Sequence, residues 1–257
     1  MVHDIRMNSK VKKSGLADQQ MNCVDHVINN ALKAALKNKE VAPLVNTATE
    51  LADGFHRSLK RTSLLCSTCN KLDIDYKKIP KPIATRWNSV CKTIKAITEM
   101  APAFSKILGS GEIEGEFQDK LPSDQTVTTL IHLLQPLEQI KTWSELLEAD
   151  NTPTIQFVVP ALVNLCNITK TKDFEKCQSK ATKTFCRQFE YKLKKQYQDY
   201  GRLSPERSIA NFLHPLFKGS SLNEDDDKSH FFNKTKKWII DKYTNDDDEE
   251  GEEEDED

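Results

Sequence analysis

The chain has 257 residues, long enough for one large domain or two small ones, and its 37% hydrophobic and 30% charged content suits a polar helical protein. No apolar run approaches the roughly 20 residues of a membrane helix. The basic start MVHDIRMNSKVKKSG leads into no apolar stretch, so neither a membrane span nor a secretory signal is expected. The formal net charge of -2 hides two unlike parts. The last twelve residues, DDDEEGEEEDED, hold eleven acidic side chains, and without them 37 basic residues face 28 acidic ones, a formal net of +9 over 1–245. A basic body suits polyanionic partners. The acidic tail can solvate the chain, mask that body or hold basic proteins. Seven cysteines, an odd number, read as reduced thiols in an intracellular compartment rather than a disulfide framework.

In chain order, residues 1–20 are polar and aperiodic and read as a loose N-terminal segment. Val24 to about Lys39 predicts a helix, with Val27, Ala31, Ala34 and Ala35 at helical spacing. A second helix opens at Pro43 and carries Leu44, Val45, Ala48, Leu51, Ala52, Phe55 and Leu59 on one stripe. Residues 62–84, ending in Pro80 and Pro82, read as a connector. Asn88 to about Leu108 predicts a helix bent near Pro102, followed by a loop, GSGEIEGEFQDKLPS. Ser123 can cap the next helix, whose face is marked by Val127, Leu130, Ile131, Leu134, Leu137, Ile140, Trp143 and Leu147, with a kink expected at Pro136.

TIQFVVPALVNLCNITK predicts an apolar helix entered through Thr152 and Pro153, and Asp173 to Tyr200 a long basic helix stopping at Gly201. PERSIANFLHPLFK gives a short helix closed by Pro215. The division is then a helical domain over 21–218, a linker with a short helix over 219–243, and an acidic disordered tail over 244–257. No strand-like alternation of useful length is present, so the fold class is mainly α.

The eight glycines form no phosphate-cradling loop, and there is no Gly-x-Ser-x-Gly elbow. Cys23-x-x-His26 and Cys66-x-x-Cys69 each have a spacing that lets two ligands share one zinc ion. About 40 residues and a helix separate them, and the simpler reading makes Cys23 and Cys66 small buried apolar groups, with no metal expected. A two-metal nuclease would need about three converging carboxylates. Asp18, Asp25, Asp53, Asp73, Asp75, Glu99 and Glu206 are scattered over polar faces and loops and read as surface charges.

Cations concentrate at His56, Arg57, Lys60 and Arg61, at Lys77, Lys78, Lys81 and Arg86, and from Lys183 to Lys195. Such long flexible side chains meet a phosphate backbone without reading bases. The first cluster leads toward Arg86 and Trp87 and reads equally as a binding surface or a solvated one. The Lys183–Lys195 run reads as a solvated face with intrahelical ion pairs.

Five segments, in order, resemble the hAT superfamily of DNA transposases and its domesticated BED-finger relatives. They are CVDHVINNAL, LADGFHRSLKR, PIATRWNSV, the stretch from LLQPLEQIKTW to VVPALVNL, and IANFLHPLFK, together covering roughly residues 20–220. The resemblance implies the helical insertion of an RNase H-like transposase core, with little or no complete β-sheet, in a nuclear protein. It also implies no catalysis. The family's first two catalytic aspartates lie on strands upstream of the Cys-x-x-His segment, where only Asp4 and Asp18 stand here. Its third carboxylate follows the last segment, whereas Ser204–Ser208 (SPERS) precedes it, so Glu206 is not the equivalent. His214 stands where the family has Asp, Asn30 where it usually has Leu, and no BED finger is found. Magnesium would be expected only in an active enzyme.

By the same resemblance, Arg86 and Trp87 lie beside the cleavage site, where the arginine meets phosphate and the ring stacks on an unpaired base. Stacking of that kind contributes about 1–3 kcal/mol per base. His26, Arg57, Lys60 and Arg61 complete the expected nucleic-acid contacts, made to DNA without strong sequence readout. The competing reading has Trp87 anchoring helix 88–108 in the core.

Overall fold

A computed structural model of the protein describes residues 24–82, 87–113, 115–149, 154–199, 205–215, 233 and 235–241. Among them there is no strand, so the class is mainly α, and no helix is long and apolar enough to cross a membrane. The expectations for the N-terminal segment 1–20, Cys23, Arg86, Thr152, Pro153, most of the linker and the acidic tail lie outside the described residues.

The first two helices follow their stripes except at Leu59, which is 89% exposed and lies beyond the second helix. α1 (Val24–Leu36) buries Val24, Val27, Ile28, Ala31, Leu32 and Ala35, and α2 (Ala42–His56) buries Ala48, Leu51, Ala52 and Phe55. Pro43 sits in the first turn of α2, where its missing N–H costs no intrahelical bond. The expected connector after α2 begins instead with a third helix. Ser58 leaves the helical region at φ -138°, ψ 108°, and its hydroxyl accepts the Arg61 N–H, starting α3 (Leu59–Lys71). The connector is confined to residues 72–82, where Ile79 is buried and the Thr93 hydroxyl donates to the Pro80 carbonyl.

The helix expected over 88–108 is two: α4 (Trp87–Glu99) and α5 (Ala101–Ser110). Pro102 stands in the first turn of α5, so it starts a helix rather than bending one. Gly111, at φ 67°, ends α5 in the left-handed conformation an L side chain resists. A 3₁₀ turn over Gly115–Lys120 then lies inside the expected loop. α6 (Asp124–Leu147) opens on Ser123, whose hydroxyl accepts the Thr126 N–H, and it runs on through Pro136. Its buried face only partly matches the expected one: Leu133, Pro136 and Ser144 are buried too, Leu134, Trp143 and Leu147 are half-buried, and Ile131 is 43% exposed.

The next segment folds as a 3₁₀ turn (Ile155–Phe157), α7 (Val158–Leu165) and a second 3₁₀ turn (Ile168–Lys170). The single helix expected from Asp173 is split into α8 (Lys172–Lys176) and α9 (Lys180–Asp199) by an extended Cys177. Thr171 caps α8, and the Ser179 hydroxyl accepts the Thr182 N–H at the start of α9. α10 (Pro205–Leu213) packs on α7 and its preceding turn, and residues 235–241 are helical.

One apolar cluster joins α1 through α9. α1 packs along α9, which buries Phe185, Cys186, Phe189 and Leu193; the Lys180–Glu40 ion pair joins the start of α9 to the chain beyond the end of α1, an antiparallel arrangement. α4 packs along α6. Phe55 meets the edges of Phe104 and Phe117, with ring centroids at 5.7 and 5.5 Å, so α2, α5 and the 3₁₀ turn share one aromatic junction.

Candidate nucleic-acid interface

The first cation cluster sits where α2 ends and α3 begins. The last carbonyls of α2 have no intrahelical donors, and this corner supplies them. The Arg57 N–H donates to Asp53, the Arg61 guanidinium to Gly54 at 2.9 Å, and the Thr62 hydroxyl to Phe55 at 2.8 Å. A cation at a helix C-terminus is also favoured by the helix dipole. The Arg61 guanidinium lies 4.0 Å from the centroid of the Phe117 ring. Phe117 in turn lies against Gly54, where a Cβ would fall 1.8 Å from its ring. Gly54 is there because nothing larger fits beneath Phe117.

An open cleft of about 710 Å³ runs past this corner, lined by Glu50, Asp53, Arg57, Arg61, Phe117 and Lys120 among others. Its charges are matched. Asp53 pairs with Lys81 at 3.0 Å and Arg57 at 4.0 Å, and Glu50 with Lys120 at 3.6 Å. His56 donates through Nε2 to the Ile79 carbonyl at 2.8 Å. Arg57 and Lys60 extend into solvent, whereas Arg61 is half-buried and held by its two contacts.

Of the expected site residues, Arg57, Lys60 and Arg61 share this corner. Arg86 lies outside the described residues. Trp87 opens α4 with its side chain in the core and only 4% of the residue exposed, so in this conformation its ring presents no face to a base. His26 is exposed on the first turn of α1. Cys66 and Cys69 are on α3, Cys69 fully buried, and burial pushes its thiol up. Among the described residues no three His, Cys, Asp or Glu side chains come together as an ion site.

The carboxylates have other work. Asp53 holds the cations above, Glu99 pairs with Lys77 at 2.9 Å, and Asp25 accepts from Asn29 at 2.6 Å. Asp73 and Asp75 are exposed on the connector; Asp18 and the Glu206 side chain lie outside the described residues. Glu148 is raised above the usual carboxylate range by burial first and then by neighbouring Asp25 and Glu145. A smaller cavity of about 270 Å³ between α6, α8 and α9 is lined by His132, Cys177 and Cys186. Burial pushes the Cys186 thiol up to about 12, which keeps it protonated and poorly nucleophilic at neutral pH.

The second cation cluster, along α9, keeps part of the solvated, ion-paired face expected, with Arg187 and Lys195 exposed. It contains one intrahelical pair, Lys194–Glu190 at 2.6 Å, and one pair to another element, Lys180–Glu40 at 3.2 Å. Glu190 points inward to the Thr169 N–H at 3.0 Å. Burial alone would raise this carboxyl, but hydrogen bonds from Lys194 and Thr169 outweigh it and hold it below the usual range. Among the described residues Lys183, Arg187, Lys192 and Lys195 pair with no carboxylate. Lys183 and Arg187 lie 5.9 and 5.8 Å from the Phe174 ring centroid.

No family model matches the sequence. Over 164 residues, 62% of the chain, it is 24% identical to the Transposable element Hobo transposase of Drosophila melanogaster. The chain spans 22% of that relative's length.

Proposed function

We propose that this is a transposase-derived, non-catalytic helical protein of the nucleus that binds nucleic acid through phosphates, without strong sequence readout. The observation that carries this reading is the row of cations along α9, where Lys183, Arg187, Lys192 and Lys195 pair with no carboxylate among the described residues, on a body whose formal charge over 1–245 is +9. Lysine and arginine with no carboxylate partner attract a polyanion and release its condensed counterions on contact. Arg57 and Lys60, exposed at the α2–α3 corner, add weaker phosphate contacts, since Arg57 shares Asp53. Arg61 and Trp87 serve the fold in this reading, one as the cap of α2 and the other as the core anchor of α4.

The similarity to a transposase supports the origin and is the ground for proposing a nuclear location. The non-catalytic part rests on the carboxylates: Asp53 and Glu99 hold lysines and an arginine, Asp25 accepts from Asn29 and lies beside Glu148, and no three His, Cys, Asp or Glu side chains form an ion site among the described residues. Strand transfer would need about three of them on shared metal ions.

Fluorescence anisotropy of the full chain with mixed-sequence DNA, titrated over salt, tests the binding. The logarithm of the association constant is expected to fall linearly with the logarithm of salt concentration. Changing the DNA sequence should alter affinity by less than about threefold, since each well-read base pair is worth about 1–3 kcal/mol. No binding at low salt overturns the reading. Cleavage of the DNA with added magnesium overturns the non-catalytic part alone.

A further inference from the structure

Seen down its axis, α9 is divided into two faces. Thr182, Phe185, Cys186, Phe189 and Leu193 are buried, and Arg187, Tyr191 and Lys195 emerge on the opposite side. Lys183, Arg187, Tyr191 and Lys195 recur every fourth residue, so each is about 6 Å further along the axis and the row is about 18 Å long. Tyr191 is 59% exposed, an outlier for a large ring in a helix that buries both its phenylalanines completely. Lys192 approaches one side of the ring, its Nζ 6.0 Å from the centroid. The only carboxylate within this stretch of the helix, Glu190, is turned away to Thr169 and Lys194. Asp173 and Glu175 are exposed on α8 beside Phe174 and bound the row at its N-terminal end.

We propose that this outer face of α9 is a track for single-stranded nucleic acid, with Lys183, Arg187 and Lys195 on successive phosphates and the Tyr191 ring stacked on a base. The proposal rests on the nucleic-acid reading above and names where and in what form the strand binds. A ring flanked by cations at either end is the pattern of sequence-tolerant single-strand binding, because every base has a π-face while the phosphates supply the affinity. A duplex satisfies the cations but not the ring, since its bases already stack on one another. Preference for single strands is therefore what the exposed tyrosine adds to a basic helix.

The test uses the full chain, a labelled oligothymidylate of about twenty nucleotides and a duplex of the same length. Tyr191→Ala is expected to weaken oligothymidylate binding about fivefold or more and leave the duplex within about twofold, whereas Tyr191→Phe keeps the native affinity. Arg187→Ala and Lys195→Ala should each reduce the single-strand salt slope by about 0.7. Helix content and melting temperature should be unchanged in all four, because the side chains are exposed. If the chain binds nucleic acid but none of these variants alters it, the track is overturned and the functional reading stands. Binding of neither probe at low salt overturns both. If the variants spare oligothymidylate binding but make the acidic residues 246–257 more sensitive to protease, the occupant is the chain's own tail and the proposal fails.

Discussion

The corner between α2 and α3 and the outer face of α9 are built of the same materials, lysine and arginine beside an aromatic ring, and they use them in opposite ways. At the corner Arg61 caps Gly54 and covers Phe117, Asp53 holds Lys81 and Arg57, and Glu50 holds Lys120. Along α9 Lys183, Arg187 and Lys195 meet no carboxylate among the described residues, and the neighbouring ring, Tyr191, faces outward. The two tryptophan-and-tyrosine settings divide in the same way: Trp87 is in the core and Tyr191 on the surface. Counting cations along a sequence therefore does not find a binding surface. What decides availability is whether another element brings a carboxylate or a helix end to them.

The largest effect should come from exchanging the two rings. Trp87→Ala removes a buried side chain and should cost about 3–5 kcal/mol of stability, while Tyr191→Ala should stay within about 0.5 kcal/mol. Urea unfolding of both variants measures the difference. Equal costs would erase the distinction between a ring that holds the fold and one that serves a ligand. Next is Gly54→Ala. With a Cβ only 1.8 Å from the Phe117 ring, the aromatic junction must shift, at a cost of about 1–3 kcal/mol. That loss would mark the corner as structural; a neutral result would mean that the cleft opens easily and that Phe117 and Arg61 are free to move.

Much of this was legible in the sequence. The stripes of α1 and α2 and the cap at Ser123 are where apolar spacing and a hydroxyl put them. α3 was not, because LKRTSLLCSTCNK buries only Leu65, Thr68 and Cys69 and is otherwise polar, leaving little periodicity to read. The splits at Met100 and Cys177 were missed for another reason: a stripe that continues across a break looks the same as one on an unbroken helix. The corner's cations were visible but their partners were not, since Lys81 and Lys120 reach Asp53 and Glu50 from distant segments. Tyr191 carried a usable signal: a large ring spaced in register with Arg187 and Lys195 falls on the polar side of the helix.

A charge removed at the corner should make it behave more like α9. Asp53→Asn releases Lys81 and Arg57, and because both pairs are partly exposed, stability should change by no more than about 1 kcal/mol. Affinity for nucleic acid should rise a few-fold, with the duplex salt slope steeper by about 0.9 for each released cation that reaches a phosphate. Unchanged affinity and slope in a salt titration of this variant would show that the corner lies off the binding path, leaving α9 to act alone.

The smallest effect concerns Glu190, whose ion pair with Lys194 stays within α9. Its folded pKa is depressed, so its contribution to stability is fully present above the ordinary glutamate value of about 4.3 and is lost as pH falls through the depressed one. Glu190→Gln should therefore lower the melting temperature slightly at pH 7, and the gap to the native protein should close on acidification. The same change frees Lys194 beside the row of Lys183, Arg187 and Lys195, so nucleic-acid affinity should rise while stability falls. Melting curves and binding isotherms across pH separate the two consequences. A melting gap that stays constant with pH would mean that the bonds from Thr169 and Lys194 are no stronger than those the unfolded carboxylate makes to water. The inward turn of Glu190 would then owe nothing to its charge, and the bare face of α9 would reflect packing alone.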